Sequence, residues 1–242
     1  MTSLIIEKSE AIGDIWKKRY EFLSLHFPHW QDDLPYLPIP TKIWPKFTPA
    51  AKQGNYMQYY ANALELNIWT SSKVTGSSQD EQGNWTVTVN KEGKESRTLY
   101  PKHVVMATSL CGSPSTPVIP GMADYKAGIF RHSSVHDSSR NFVGKKVCVV
   151  GTSSSGFDTA FDCSRRGIDV TLLQRSPTYI MSLKHSVPRV IGPYTPDDKG
   201  VRPDLETTDR VWMSNRKYLL IFLILSHPLT CTVSDRPRRR TL

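Results

Sequence analysis

Between Trp85 and Val89 apolar and polar residues alternate with period two, the pattern of a strand with one buried face. Lys91–Lys94 reads as a turn, and Ser96–Tyr100 returns as an antiparallel partner. Nearer the start, Ser3–Glu7 predicts a short buried strand that ends on an acid. From His26 to Pro49 six prolines (Pro28, Pro35, Pro38, Pro40, Pro45, Pro49) exclude a regular helix and predict an ordered excursion. Thr48-Pro49 then opens a helix with Thr48 as N-cap, and Tyr56, Tyr60, Ala63 and Leu64 carry helical spacing to about Leu66. His103–Thr108 predicts a buried strand, followed by a Gly/Ser/Pro-rich loop to Gly121 that marks a domain boundary.

At Lys146 the pattern changes to strand, glycine turn, helix, strand. Val147–Val150 is continuously apolar, as in parallel sheets covered on both faces. A helix from about Ser154 to Arg166 puts Phe157, Ala160, Phe161 and Ser164 on one face, Gly167 ends it in a left-handed cap, and Asp169–Leu173 is the second strand. The class is α/β.

Composition changes this picture little. The 242 residues are 38% hydrophobic and 22% charged, ordinary for a soluble globular chain. Net charge is +9, concentrated partly in Arg236, Arg238, Arg239 and Arg240, and favours anionic partners in general. No zinc-finger, RNA-recognition or helix-turn-helix signature accompanies it, so no nucleic-acid partner is expected. The four cysteines (Cys111, Cys148, Cys163, Cys231) form no Cys-x-x-Cys pair, which argues against a dithiol reductase or zinc site and makes Cys148 and Cys163 buried, reduced thiols. No signal-peptide pattern opens the chain, and Tyr218–Leu225 falls well short of the about 20 residues that span a bilayer. A cytoplasmic protein without membrane contact is expected.

The sharpest chemistry is the turn Gly151, Thr152, Ser153, Ser154, Ser155, Gly156. A dinucleotide turn needs one glycine for the bend, a second for close backbone approach to the pyrophosphate, and a third for helix–strand packing. Gly151 and Gly156 fill the first and third places and Ser153 the second. Helix N-terminal N–H groups then face the anion. Where an NAD-binding fold ends its next strand on an acid, this one has Arg175 and Ser176, a pair suited to the 2′-phosphate of NADPH.

With these features the chain resembles the flavin-containing monooxygenases, in particular their YUCCA-like branch. Gly144-Lys-Lys-Val-Cys-Val-Val-Gly-Thr-Ser-Ser-Ser-Gly156 is similar to that family's NADPH-binding turn, and Gln174-Arg175-Ser176 to its 2′-phosphate-holding strand end. Gly128-Ile-Phe-Arg-His132 resembles the identifying Phe-x-Gly-x-x-x-His stretch, with Lys126 where phenylalanine is expected; Val104–Thr108 resembles the Ala-Thr-Gly linker, with Ser109 for its glycine. Upstream, Glu7-Lys8, Gly13-Asp14-x-Trp16, Arg19-Tyr20, Leu25-His26, Pro35-Tyr36-x-Pro38 and Trp44-Pro45-x-Phe47-Thr48 resemble the segment after the second strand of the FAD domain. The likeness runs from about Leu4 to Ser182.

The resemblance implies a Rossmann-like flavoprotein with two dinucleotide-binding domains: residues 1–121 as a partial FAD domain, 122–213 as a partial NADPH domain and 214–242 as a divergent basic and apolar tail. The family's first FAD-binding strand–turn–helix is expected to be missing, and the chain to be truncated at both ends. The resemblance places Glu7 on the adenosine ribose of FAD, Trp16 and Arg19 near the flavin, and Val74 and Thr108 as further FAD contacts. It implies FAD- and NADPH-dependent insertion of one oxygen atom from O₂, through a C4a-hydroperoxyflavin, into a small-molecule substrate. Cofactors carry such chemistry, so no catalytic acid or base is assigned, and His26, His132 and His136 are read as structural. The alternative is a non-catalytic NADPH-binding remnant of such an enzyme.

Overall fold

The computed structural model describes residues 3–108, 113–126, 128–176 and 178, with short stretches between 188 and 210. It divides into two compact units, Met1–Tyr179 and Ile180–Leu242. In the second unit a single 3₁₀ turn, Gly192–Tyr194, is described, and Asp204 Oδ2 accepts the Thr207 N–H at 2.9 Å. The expected tail at 214–242, with Tyr218–Leu225, lies outside the described residues, as do Cys111 and Cys231. No described helix is long and apolar enough to cross a membrane.

The first unit is mixed α/β. Strand β1 (Ile5–Ile6) pairs in parallel with β4 (Ile68–Trp69), Ile5 opposite Ile68. The strand expected over Ser3–Glu7 is thus present but short and only half covered: Ile5 is 45% exposed, because the described ladder reaches one edge over two residues. Helix α1 (Asp14–Lys17) follows Gly13, whose φ of +82° belongs to the left-handed region. A Cβ there would meet the Gly54 carbonyl oxygen at 2.2 Å, so α1 sits directly on the backbone of helix α2 (Ala50–Ala63). Tyr20, Leu23 and Ala50 form the small core beneath, with Trp16 and Phe22 packed against it.

The proline-rich excursion is ordered, as expected, and Tyr56 explains much of it. Its hydroxyl accepts the Leu34 N–H at 2.8 Å and donates to the Leu37 carbonyl at 2.7 Å, satisfying backbone groups that no ladder serves. Strand β2 (Ser24–Pro28) runs antiparallel to β3 (Phe47–Pro49), and His29 and Trp44 tie the loop ends through Pro45 O and Thr48 Oγ1. Thr48 is therefore not the helix cap. It is a fully buried strand residue; Pro49, extended at ψ 142°, holds the cap position and offers no side-chain acceptor. The helix also stops at Ala63 rather than Leu66, because Glu65 adopts a φ of +49°.

The antiparallel pair of β6 (Trp85–Lys91) and β7 (Arg97–Leu99) is as expected. Strand β5 (Ser72–Gln79), which no apolar alternation announces, completes the meander with a bulge between Val74 and Gly76. His103–Thr108 departs from expectation. It forms no strand, and Val105 and Met106 are 85% and 70% exposed, since no described strand offers it a ladder.

The strand–helix–strand unit is present: β8 (Lys146–Val150), α3 (Ser154–Arg165) and parallel β9 (Asp169–Leu173), with Gly167 in the left-handed region at φ +70°. Two details are corrected. The β8–β9 pair is covered on one face only, which leaves Val150, Leu173 and the Cys148 thiol exposed, whereas Cys163 is buried as expected. On α3 Phe161 is 62% exposed and Ser164 is exposed; the buried positions are Asp162 and Cys163, because the helix packs through its polar side.

Asp32 closes the turn His29–Gln31 with Oδ2 buried and without a hydrogen-bond partner among the described residues. Burial pushes its carboxyl from 3.8 up to about 6. A raised folded-state value contributes stability at low pH that is lost as pH rises through 6. Asp32→Asn should therefore melt higher than the wild type at pH 7 and equally at pH 4, measured by thermal denaturation at both pH values.

Candidate functional site

The loop from β8 to α3 is shaped by its two glycines. Gly151 has φ +109°, and its N–H donates to the Leu173 carbonyl at 2.9 Å, which locks the turn to the end of β9. Gly156 lies over Gly151 so closely that a Cβ would stand 2.2 Å from the Gly151 carbonyl oxygen. Both positions thus require glycine, one for its dihedral and one for contact. Ser153 takes the N-cap position in extended conformation; its carbonyl accepts the Gly156 and Phe157 N–H groups, and its side chain makes no capping bond.

In consequence the N–H groups of Thr152, Ser153, Ser154 and Ser155 meet no protein acceptor among the described residues. Four free donors at the positive end of a twelve-residue helix form an anion-attracting concavity. Arg175 and Ser176 follow β9 and are exposed. The two segments meet directly: Thr152 Oγ1 lies 2.6 Å from Thr178 Oγ1, and Thr178 also reaches the Ser176 carbonyl at 3.5 Å. The structure thus brings the expected turn and the expected strand end together. Thr178 was not anticipated, and nothing in its sequence context marks it.

The residues expected around FAD gather less completely. The Glu7 N–H donates to the Trp69 carbonyl, and the Glu7 carbonyl accepts the Ser72 N–H, which sets β1 beside the start of β5, where Val74 is 40% exposed. Glu7 Oε1 accepts the Ser9 N–H at 2.7 Å. Trp16 packs on the small core and takes the Arg19 N–H on its carbonyl, while the Arg19 guanidinium lies 5.7 Å from the Tyr20 ring centre. Thr108 is exposed and hydrogen-bonded to none of these residues. A cavity of about 220 Å³ lies on the meander instead, lined by Trp69, Val89, Lys91, Lys94 and Arg97.

Along α3 a polar seam escaped sequence reading. Asp158, Asp162 and Arg166 follow one another at intervals of four, which stacks them on one face. The Asp162 side chain is 1% exposed; it accepts from Arg166 Nε at 3.1 Å and from the Ser139 N–H at 3.2 Å. Burial alone would raise its carboxyl, but these donors more than offset burial and hold it below the usual value. Arg166 Nη2 continues to Glu21 Oε1 at 2.9 Å, and Glu21 also receives Ser138 Oγ at 2.8 Å. Tyr20 Oη donates to Asp158 Oδ2 at 2.7 Å; burial first and then that carboxylate push the phenol up to about 12, so it stays a donor at neutral pH.

The histidines join this frame. His26 Nε2 stands 3.5 Å from Asp158 Oδ2, and His132 Nδ1 accepts the Ser134 N–H at 3.1 Å. His136 is 7% exposed, 3.5 Å from Ser139 Oγ, and is held below its ordinary value by burial and by Arg131. No group of three or more potential metal ligands occurs among the described residues.

A glycine turn with free donors, set between two parallel strands, has the form of a Rossmann-type α/β unit. The chain belongs to the pyridine nucleotide-disulphide oxidoreductase family, whose profile matches residues 1–197, and within it to the flavin monooxygenases. It is 31% identical to the probable indole-3-pyruvate monooxygenase YUCCA10 of Arabidopsis thaliana over 183 residues, 74% of this chain and 47% of that protein. It is equally 31% identical to the rice indole-3-pyruvate monooxygenase YUCCA1, over 73% of this chain and 43% of the relative. The chain therefore spans less than half the length of these relatives. The fold is shared with a flavin-containing monooxygenase from Stenotrophomonas maltophilia, at a TM-score of 0.63 and 22% identity over 74% of this chain and 52% of that one. A bacillithiol disulfide reductase from Bacillus cereus shares it too, at TM-score 0.63 and 18% identity, covering 78% and 58%.

Gly156→Ala should force the turn apart, since the new methyl would meet backbone. The cost should be about 1–3 kcal/mol of stability, read as a lower denaturation midpoint than the wild type.

Proposed function

We propose that the chain binds NADPH on the turn Gly151, Thr152, Ser153, Ser154, Ser155, Gly156, with Arg175 and Ser176 on the 2′-phosphate, as the reductant site of a flavin-dependent monooxygenase. The observation that carries this reading is the set of four free N–H donors beside a strand end that carries a guanidinium in place of an acid. Pyrophosphate would satisfy the donors, and the planar guanidinium would grip the added phosphate in bidentate fashion. Residues 1–121 would then belong to the FAD side and 122–213 to the NADPH side.

Family membership implies a flavin. The described residues fit its adenosine end, because Glu7 closes β1 beside the start of β5 and Val74. Around a flavin ring they supply Trp16 and Arg19, while Thr108 stands apart. When bound, FAD would supply the redox chemistry toward O₂ and a small organic substrate. This chain's own contribution is to hold the coenzyme's phosphates and orient it. The substrates named for the relatives, indole-3-pyruvate among them, are compatible with that role.

A second reading, NADPH binding without flavin catalysis, draws on the exposure of Thr108 and of the segment before it. The visible spectrum of the purified protein separates the two. A flavin band near one equivalent supports the monooxygenase; colourless protein that binds NADPH supports the second reading.

Arg175→Ala should weaken NADPH by about tenfold or more, as expected for loss of charge-assisted hydrogen bonds, and leave NADH within about twofold. Equal losses for both coenzymes, measured by calorimetry, would remove the 2′-phosphate from Arg175.

A further inference from the structure

One contact beside the turn comes from a residue far from it in sequence. Tyr20 is 3% exposed, its ring packed on Phe22 at 4.8 Å between centres, and its hydroxyl reaches Asp158 Oδ2 at 2.7 Å. Asp158 sits two residues beyond Gly156, the fifth residue of α3, just past the turn that presents the free donors. Directly behind, Glu21 holds Arg166, and Arg166 holds Asp162. Consecutive residues of the N-terminal segment thus hold α3 at Asp158, near its start, and at Arg166, its C-cap.

We propose that Tyr20 is a positioning residue for the dinucleotide turn: its hydroxyl, through Asp158, fixes the start of α3 at the height at which the Thr152–Ser155 donors meet a pyrophosphate. The inference rests on the turn being the coenzyme site, as proposed above, and adds a control point in the N-terminal half. Free donors bind an anion well only when they are already aimed, because reorganisation on binding subtracts from affinity. The β8–β9 pair backs α3 on one side only; Asp162 and Arg166 hold the far end of the helix, and the Tyr20–Asp158 bond holds the end nearer the turn. Because the tether acts on the turn and not on the ribose phosphate, it affects NADPH and NADH alike. That separates it from Arg175.

The test is a double-mutant cycle on the full chain with Tyr20→Phe, Asp158→Ala and both together, reading coenzyme affinity by calorimetry, melting temperature, and amide exchange at residues 156–159. Tyr20→Phe keeps the packed ring and removes one oxygen; should it not fold, Asp158→Ala and Asp158→Asn carry the same expectation, the latter with a smaller loss because its amide oxygen still accepts. Each single change should weaken NADPH and NADH by the same factor, about fivefold for one hydrogen bond, and speed exchange at 156–159. The double change should be no worse than the singles, which marks a shared interaction. Losses that multiply, or single variants that bind and exchange like the wild type, overturn the tether. If the wild type binds neither coenzyme, the site reading fails by itself, and exchange at 156–159 alone decides the tether: faster in Tyr20→Phe upholds it, unchanged rejects it.

Discussion

A carboxylate with almost no exposure organises the dinucleotide unit. Asp162 cannot hold its charge inside the protein without donors, since an unpaired buried charge costs several kcal/mol. It obtains them from Arg166 on its own helix and from the Ser139 backbone, which arrives from the loop before β8. Those two bonds fix where the helix lies relative to the loop. Arg166 then has a nitrogen to spare, and Glu21 takes it. One buried charge therefore determines that the N-terminal segment, the loop and the helix meet in a single arrangement, and the polar rather than the apolar side of α3 turns inward. Cys163 next to it is fully buried and donates to Ser139 Oγ at 3.3 Å, which closes the seam to water.

That seam also explains where the sequence was legible and where it was not. Elements with a local signature came through: the alternation of β6, the glycine turn with its flanking strands, Gly167 as the end of α3. So did the order of the proline excursion, although the reason, a tyrosine hydroxyl serving two backbone groups, is tertiary. Apolar periodicity failed on α3 because Phe157, Ala160 and Phe161 satisfy the helical pattern while Asp158, Asp162 and Arg166 satisfy it equally well. A charged stripe reads as a solvated face unless its partners are known, and the partners of Asp158 and Arg166 lie more than a hundred residues upstream. Only the interval of four between two acids and an arginine could have hinted at it.

Continuous apolar runs misled for a related reason. Val147–Val150 and His103–Thr108 carry the composition of strands covered on both sides, yet a run records what a strand is suited to, and burial depends on what stands beside it. Among the described residues β8 has β9 on one edge and α3 on one face, and the His103–Thr108 run has no ladder at all. The Thr48 cap shows the same limit on a smaller scale. A threonine before a proline fits a helix start, but Trp44 had a prior use for its hydroxyl, and the chain remained extended for one residue more.

The dinucleotide turn thus answers to two separate constraints. Its internal shape follows from Gly151 and Gly156 and is local, which is why it could be read from six residues. Its placement follows from contacts with Tyr20, Glu21 and Ser139, none of which belongs to a dinucleotide motif. On the proposed reading, shape would let an anion bind, and placement would set how much of the available hydrogen-bond energy is realised, because donors that must first be reoriented lose part of it. The part of the family resemblance that lies in the turn identifies the first property. The second resides in side chains whose types, a phenol and a glutamate in one segment and two aspartates with an arginine in another, carry meaning only once the fold has set them face to face.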